Sequence, residues 1–309
     1  MIPGYRRDAS WYKKTMKIEG EEAERFFLYF EGSNITTDVY INGGKAGSHV
    51  GGYVGFRIEI TDFIELNEDN TILIRVDNSY NPNIIPSQKG DFFIFGGITR
   101  DLFLEKRPPG HISQTHISTP RVSEKQASTS VIVDFSGLQT RGKYELKVEI
   151  LEPDSDKAIT EKSEIIQAGN THTEINLPLI ENPKLWSPLQ PNLYTARVSL
   201  IENGKIVDQI HEAIGYRWYE FDAYGPFYLN GKKLLLRGTH RHEEHAGMGA
   251  AMPNAQHRKD MEMIKEVGAN FVRPGHYPQD PEVYKACDEL GLIVWDELPW
   301  CRGGMGGDE

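Results

Sequence analysis

The residues best suited to chemistry gather late in the chain, in three polar clusters. They read Arg237-Gly-Thr-His-Arg-His-Glu243, Arg273-Pro-Gly-His276 and Asp296-Glu297. A neutral imidazole donates at one nitrogen and accepts at the other, a carboxylate only accepts, and a guanidinium only donates. One such cluster would mean little, but three in succession point to a site. Zinc fits less well. His242-Glu-Glu-His245 lacks the His-Glu-x-x-His spacing that places two imidazoles on one helical face, so His240, His242 and His245 read as a hydrogen-bonding rim. Asp296 and Glu297 are neighbours, and on extended backbone their side chains point opposite ways. They cannot flank one bond from both sides, and read as supporting electrostatics with Glu297 reaching the site.

Each cluster follows a short apolar run: Leu234-Leu235-Leu236, Phe271-Val272 and Leu292-Ile293-Val294. Helical patterns lie between the runs. Asn254 is placed to cap a helix that presents Met261, Ile264 and Val267 on one face and stops at Gly268. Asp280-Pro281 gives an N-cap followed by proline at the first helical position, with Val283, Ala286, Cys287 and Leu290 as the buried stripe up to Gly291. Short strands alternating with helices predict parallel β/α units. The clusters then stand at the C-terminal ends of the strands, the rim where binding and catalytic groups collect in such folds.

Upstream of Phe227 the period changes from helical to two. Ile72, Ile74 and Val76 alternate with Leu73, Arg75 and Asp77, and Asn42-Gly43 follows Val39-Tyr40-Ile41 as a hairpin turn. Pro108-Pro109-Gly110 opens a second all-β region. There Tyr144, Leu146, Val148 and Ile150 face one way and Glu145, Lys147 and Glu149 the other, and Tyr194, Ala196, Val198 and Leu200 repeat the pattern before Asn203-Gly204. Two β-sandwiches are expected, the second immunoglobulin-like. At 309 residues there is room for two or three domains. A formal net charge of −11 argues against nucleic acid or an anionic membrane surface as partner. No apolar run is long enough to span a bilayer and no signal-peptide core follows Met1; the chain reads as soluble, with the compartment, cytoplasmic or periplasmic, left unknown. Two cysteines are too few for a disulfide framework.

Arg237 to Glu243, Val272-Arg-Pro-Gly-His-Tyr-Pro278, Cys287-Asp-Glu-Leu-Gly291 and Trp295-Asp-Glu297 resemble the barrel opening of glycoside hydrolase family 2, the family of β-galactosidases, β-glucuronidases and β-mannosidases. The resemblance extends upstream through residues 39–53, Asp91 to Leu102, Leu185-Trp-Ser-Pro188 and Ile214-Gly-Tyr-Arg217. It implies a jelly-roll sugar-binding-like sandwich over residues 1–108, an immunoglobulin-like sandwich over 109–221, and the first three β/α units of a TIM barrel over 222–309. A whole barrel needs on the order of 250 residues, so the resemblance reads the chain as truncated at both ends.

The activity implied for the parent protein is retaining double displacement on terminal β-D-galactosides, with a β-glucuronidase, a β-mannosidase or a non-catalytic carbohydrate-binding module as alternatives. The family's two catalytic glutamates, acid/base and nucleophile, fall on later barrel strands, which the resemblance places beyond Glu309. The one Asn-Glu here, Asn67-Glu68, reads as a turn, so the isolated chain is expected to be inactive. Substrate contact is implied for Asp91, His242, His276 and Glu297. Arg241, Glu243, Arg273 and Asp296 are implied as supporting groups, with Arg241 and Glu243 ion-paired within the barrel wall. The segment after the third strand departs from the family's Glu-x-His magnesium pattern. Magnesium or sodium therefore stays open for the parent, as does a homo-oligomer.

Overall fold

The computed structural model describes residues 6–86, 90, 92–139, 142–167 and 169–300. They divide into two compact units. One is built from the chain up to Lys106 with Gly238–Cys287 and the segment from Val294; the other is Arg107–Arg237 with Asp288–Ile293.

In the first unit a four-stranded antiparallel sheet runs Ala9–Lys17, Asp69–Asp77, Thr36–Ile41, Gly44–Val50. A three-stranded sheet runs Phe56–Glu59, Arg25–Phe30, Leu102–Arg107. Ile72, Ile74 and Val76, whose alternation shows in the sequence, bury with Val39 and Ile41 against Phe26, Leu28 and Phe30 from the other sheet. Hydrophobic burial of this kind, at roughly 25 cal/mol per Å² of apolar surface, is what holds two sheets face to face.

The β/α segment belongs to the same unit except for Asp288–Ile293. Gly238–Arg241 pairs in parallel with Phe271–Pro274, and Ile293–Val294 completes a three-stranded sheet in the order first, second, third. Helix α1, Asn254–Glu266, and helix α2, Pro281–Leu290, connect them. Gly238 is required by close approach: a Cβ there would lie 1.9 Å from the Phe271 carbonyl oxygen.

Three sequence expectations change here. The run Leu234–Leu236 is not the first parallel strand. Lys232–Leu234 instead closes an antiparallel hairpin with Phe227–Leu229, turned at Asn230 (φ 51°) and Gly231 (φ 71°), while Leu235 is 64% exposed. The polar Gly238–Arg241 forms the parallel strand, because its neighbours and not its own hydrophobicity fix the ladder. Asn254 does not cap α1. It is the first helical residue, and its side-chain amide donates to Asp101 at 3.2 Å. The buried face of α1 is also displaced: His257 and Met261 are fully buried, and Val267 is 84% exposed. Helix α2 starts as expected, with Asp280 Oδ1 accepting from the Glu282 N–H at 2.8 Å.

The second unit is an immunoglobulin-like sandwich. Its four-stranded sheet runs Ala158–Ile166, Tyr144–Leu151, Tyr194–Glu202, Lys205–Ile214, with Val148 opposite Val198. The facing sheet runs His111–Ser118, Ser130–Ser136, His172–Asn176. Leu146, Val148, Ile150, Ala196, Val198 and Leu200 fill the core. Below them Trp186 is buried, donating from Nε1 to the Asp288 carbonyl at 2.9 Å, with the Arg217 guanidinium 4.3 Å from its ring centre.

Candidate active site

Strand register brings the histidines together. Gly238 is opposite Phe271 and Arg241 opposite Pro274, and the Gly275 N–H donates to the Arg241 carbonyl at 3.0 Å. His242 and His276 therefore leave adjoining strands at the same level. Their ring centres lie 5.3 Å apart, nearly perpendicular at 78°. Phe92, from the first sandwich, stands against both, 5.1 Å from His242 and 5.6 Å from His276. His240 lies at the margin, its ring 6.4 Å from that of His242. His245 turns away, with Nδ1 3.0 Å from the Ala246 carbonyl.

Glu297 supports His276 from the third strand. Its Oε2 lies 3.0 Å from His276 Nδ1, and its Oε1 accepts from Arg273 Nε at 2.5 Å. Burial pushes the Glu297 carboxyl up, but the hydrogen bonds from His276 and Arg273 outweigh it and hold the group below the usual carboxylate range. Arg273 Nη2 lies 3.2 Å from the same Nδ1, and in the tautomer that donates from Nδ1 to the ionised Glu297 it is Nε2 that does not face the carboxylate. Asp296 points the other way, accepting from the Tyr284 hydroxyl at 2.9 Å, which follows from its being the next residue on extended chain.

Arg241 and Glu243 flank His242 and share the side of the chain opposite to it. Arg241 reaches α1, donating to Asp260 Oδ2 from Nε at 3.1 Å and Nη2 at 2.8 Å, to Gln279 Oε1, and from Nη2 to His257 Nδ1 at 3.0 Å. Accepting at Nδ1 makes His257 the neutral Nε2–H tautomer. Burial, the largest influence, also lowers its pKa against the opposing pull of Glu243 and Asp280.

Glu243 corrects an expectation: its ion pair is not within the barrel wall. Two residues past Arg241 the chain has run beyond α1, to where the first sandwich supplies Arg100. That guanidinium donates from Nε to Oε1 at 2.8 Å and from Nη2 to Oε2 at 3.2 Å, with both side chains all but sealed from solvent at 2% and 1% exposure. The Asp280 N–H adds a third bond to Oε2 at 2.7 Å.

Glu31 lies in the same buried region, and its Oε2 is buried with no hydrogen-bond partner. Burial, then the charges of Asp280 and Asp101, raise its pKa to about 7 against the pull of Arg100. In the unfolded chain a glutamate titrates near ~4.3. The folded state therefore holds this proton more tightly, a contribution to stability that is complete below the unfolded value and lost as pH rises through about 7. Glu31→Gln should accordingly raise the melting temperature at about pH 8 by more than at about pH 5. Thermal unfolding of both proteins at the two pH values checks this, and an identical difference at both would contradict it.

Asp91, which the family resemblance places at the substrate, lies outside the described residues. So do Cys301 and Glu309, the residue beyond which the resemblance places both catalytic glutamates. Trp300 is 60% exposed. Among the described residues no group of three or more His, Cys, Asp or Glu converges to hold a metal ion, and no helix is long and apolar enough to cross a membrane. Sequence reasoning passed over Phe92, Tyr277, Arg100 and Tyr53. Each sits inside a stretch that had been singled out as a whole, and only three-dimensional proximity separates them from their neighbours.

Two sandwiches are thus followed by parallel strands with an imidazole pair at their C-terminal ends. The chain belongs to glycosyl hydrolases family 2: the family's sugar binding domain matches residues 2–108, the model described simply as glycosyl hydrolases family 2 matches 110–217, and the family's TIM barrel domain matches 223–305. A Formosa agariphila protein provisionally named a β-glucuronidase is 57% identical over 99% of this chain and 37% of its own length. A Thermoanaerobacter pseudethanolicus β-galactosidase is 33% identical over 95% of this chain and 40% of its own. The crystal structure of a Bacteroides uniformis β-glucuronidase superposes with a TM-score of 0.90 at 33% identity, covering 96% of this chain and 37% of that one. The chain thus spans less than half the length of the curated relatives it matches.

Proposed function

We propose that the protein carrying this chain hydrolyses terminal β-D-glucuronides with retention of configuration. In this reading His242 and His276 bind the sugar hydroxyls, and Glu297 and Arg273 hold His276 in the tautomer that can do so. The observation that carries it is the facing imidazole pair, 5.3 Å apart at the ends of adjoining strands. Two such nitrogens can grip neighbouring hydroxyls of one pyranose, each through a hydrogen bond of about 2.7–3.2 Å.

Retention needs two carboxyl groups about 5–5.5 Å apart, one nucleophile and one acid/base. Glu297 fits neither role, since both its oxygens are already engaged. On this reading both groups belong to later barrel strands, and His242, His276 and their supports supply recognition and not bond cleavage. Sequence motifs alone favoured galactosides. The name of the 57% identical relative and that of the superposed crystal structure favour glucuronides instead.

The test is a panel of p-nitrophenyl glycosides turned over by the whole protein. We expect kcat/KM for the β-D-glucuronide to exceed that for the β-D-galactoside and β-D-mannoside by at least about tenfold, the result of a single added charge-assisted contact. Preference for the galactoside would return the reading to the alternative specificity. Absence of turnover on all three would remove it.

A further inference from the structure

Arg100 is remote from the rim in sequence, yet it touches both loops that carry the rim histidines. Nε and Nη2 grip the carboxylate of Glu243, the residue after His242, at 2.8 and 3.2 Å. Nη2 also donates to the carbonyl of Pro278, two residues after His276, at 2.6 Å. Nη1 anchors the other side of the fork to the first sandwich, donating to the Tyr53 carbonyl at 3.1 Å and the Glu31 carbonyl at 3.3 Å. Tyr53 adds a second tie: its ring stacks on Tyr277 at 3.7 Å, and the Tyr277 hydroxyl accepts from the Glu243 N–H at 3.2 Å. Tyr53 holds this place with φ at 63°, a backbone conformation that residues with large side chains rarely adopt.

We propose that Arg100 is a positioning residue for the sugar site. It fixes the separation of His242 and His276 by tying the Glu243 side chain beside one and the Pro278 backbone beside the other to one rigid point on the first sandwich. Two features argue for this over simple stabilisation. A buried ion pair contributes little to stability compared with well-packed apolar residues of the same volume, so its presence calls for another reason. The reason available is geometric: only a planar fork with five donors can hold a carboxylate and three carbonyls at once, and a lysine cannot. Binding groups must be held to within roughly 0.5 Å to act together, and loops that leave strand ends do not hold themselves that well.

The inference rests on the rim being the sugar site, and its test separates the two ideas. In the whole protein, Arg100→Lys keeps the charge opposite Glu243 and loses the fork. The double replacement Arg100→Met with Glu243→Met removes both charges together, so the fold does not retain an unpaired one. His276→Phe reports on the rim itself. We expect both Arg100 variants to melt close to wild type while kcat falls at least about tenfold and KM changes by less than about threefold, the mark of contacts that tighten in the transition state. Wild-type kcat in a folded Arg100→Lys or double variant, with His276→Phe impaired, overturns the positioning role and leaves the site standing. Wild-type kinetics in His276→Phe as well overturn both.

Discussion

Replacing Glu243 with alanine should lower the unfolding free energy by about 3–5 kcal/mol, the usual penalty for leaving a buried charge without its partner. Burial alone would depress the Arg100 guanidinium, and the Glu243 carboxylate more than offsets that, keeping the cation stable where it is. Without Glu243 the guanidinium, 2% exposed in the folded protein, loses its carboxylate partner, and the Asp280 N–H at the start of α2 loses its acceptor. Removing both charges is a different experiment. The double replacement with methionine should cost far less than the sum of the single losses, because the two side chains act as one unit. Urea unfolding of wild type, Glu243→Ala and the double variant measures both quantities. A loss below about 1 kcal/mol in Glu243→Ala would mean that water reaches Arg100, contrary to its burial.

Much of the fold was legible because period-two alternation has a single structural meaning when it repeats. Ile72, Ile74 and Val76, and later Tyr144, Leu146, Val148 and Ile150, fall on core faces as their spacing requires. Asp280-Pro281 marked the start of α2 because a carboxylate cap and a fixed proline φ leave few other conformations. The run Leu234–Leu236 misled because a short apolar stretch has no period of its own. Three leucines suit a hairpin edge as well as a buried parallel strand, and the turn at Asn230-Gly231 decided between them. Val267 misled for a related reason. Helix α1 presents a polar residue, His257, to its buried side, since Arg241 and Asp280 are there to meet it.

The placement of the candidate site's nearest residues was legible, and that of the residues supporting them was not. His242, His276 and Glu297 stand at strand ends, and strand ends can be found from a sequence. Arg100 and Glu243 are 143 positions apart, and nothing in either local sequence says that the two charges are buried together. Charged residues in a sequence read by default as surface. It takes the packing of the first sandwich to turn this pair into an interior contact, and the same packing brings Phe92 beside both imidazoles.

The most direct measurement is the steady-state kinetics of His242→Phe and His276→Phe in the whole protein, on its best p-nitrophenyl glycoside. Phenylalanine keeps the ring beside Phe92 and removes only the nitrogens, so circular dichroism and melting temperature should change little. If the pair binds the sugar as proposed, one nitrogen of each ring bonds a sugar oxygen on which charge develops, and such a bond is worth about 1.5–3 kcal/mol. Each replacement should therefore lower kcat/KM by more than about tenfold. A loss of that size in both variants, with the fold intact, is the result expected if the facing pair is the sugar rim. Unchanged kcat/KM in both would make the histidines scaffolding and contradict the account at its centre.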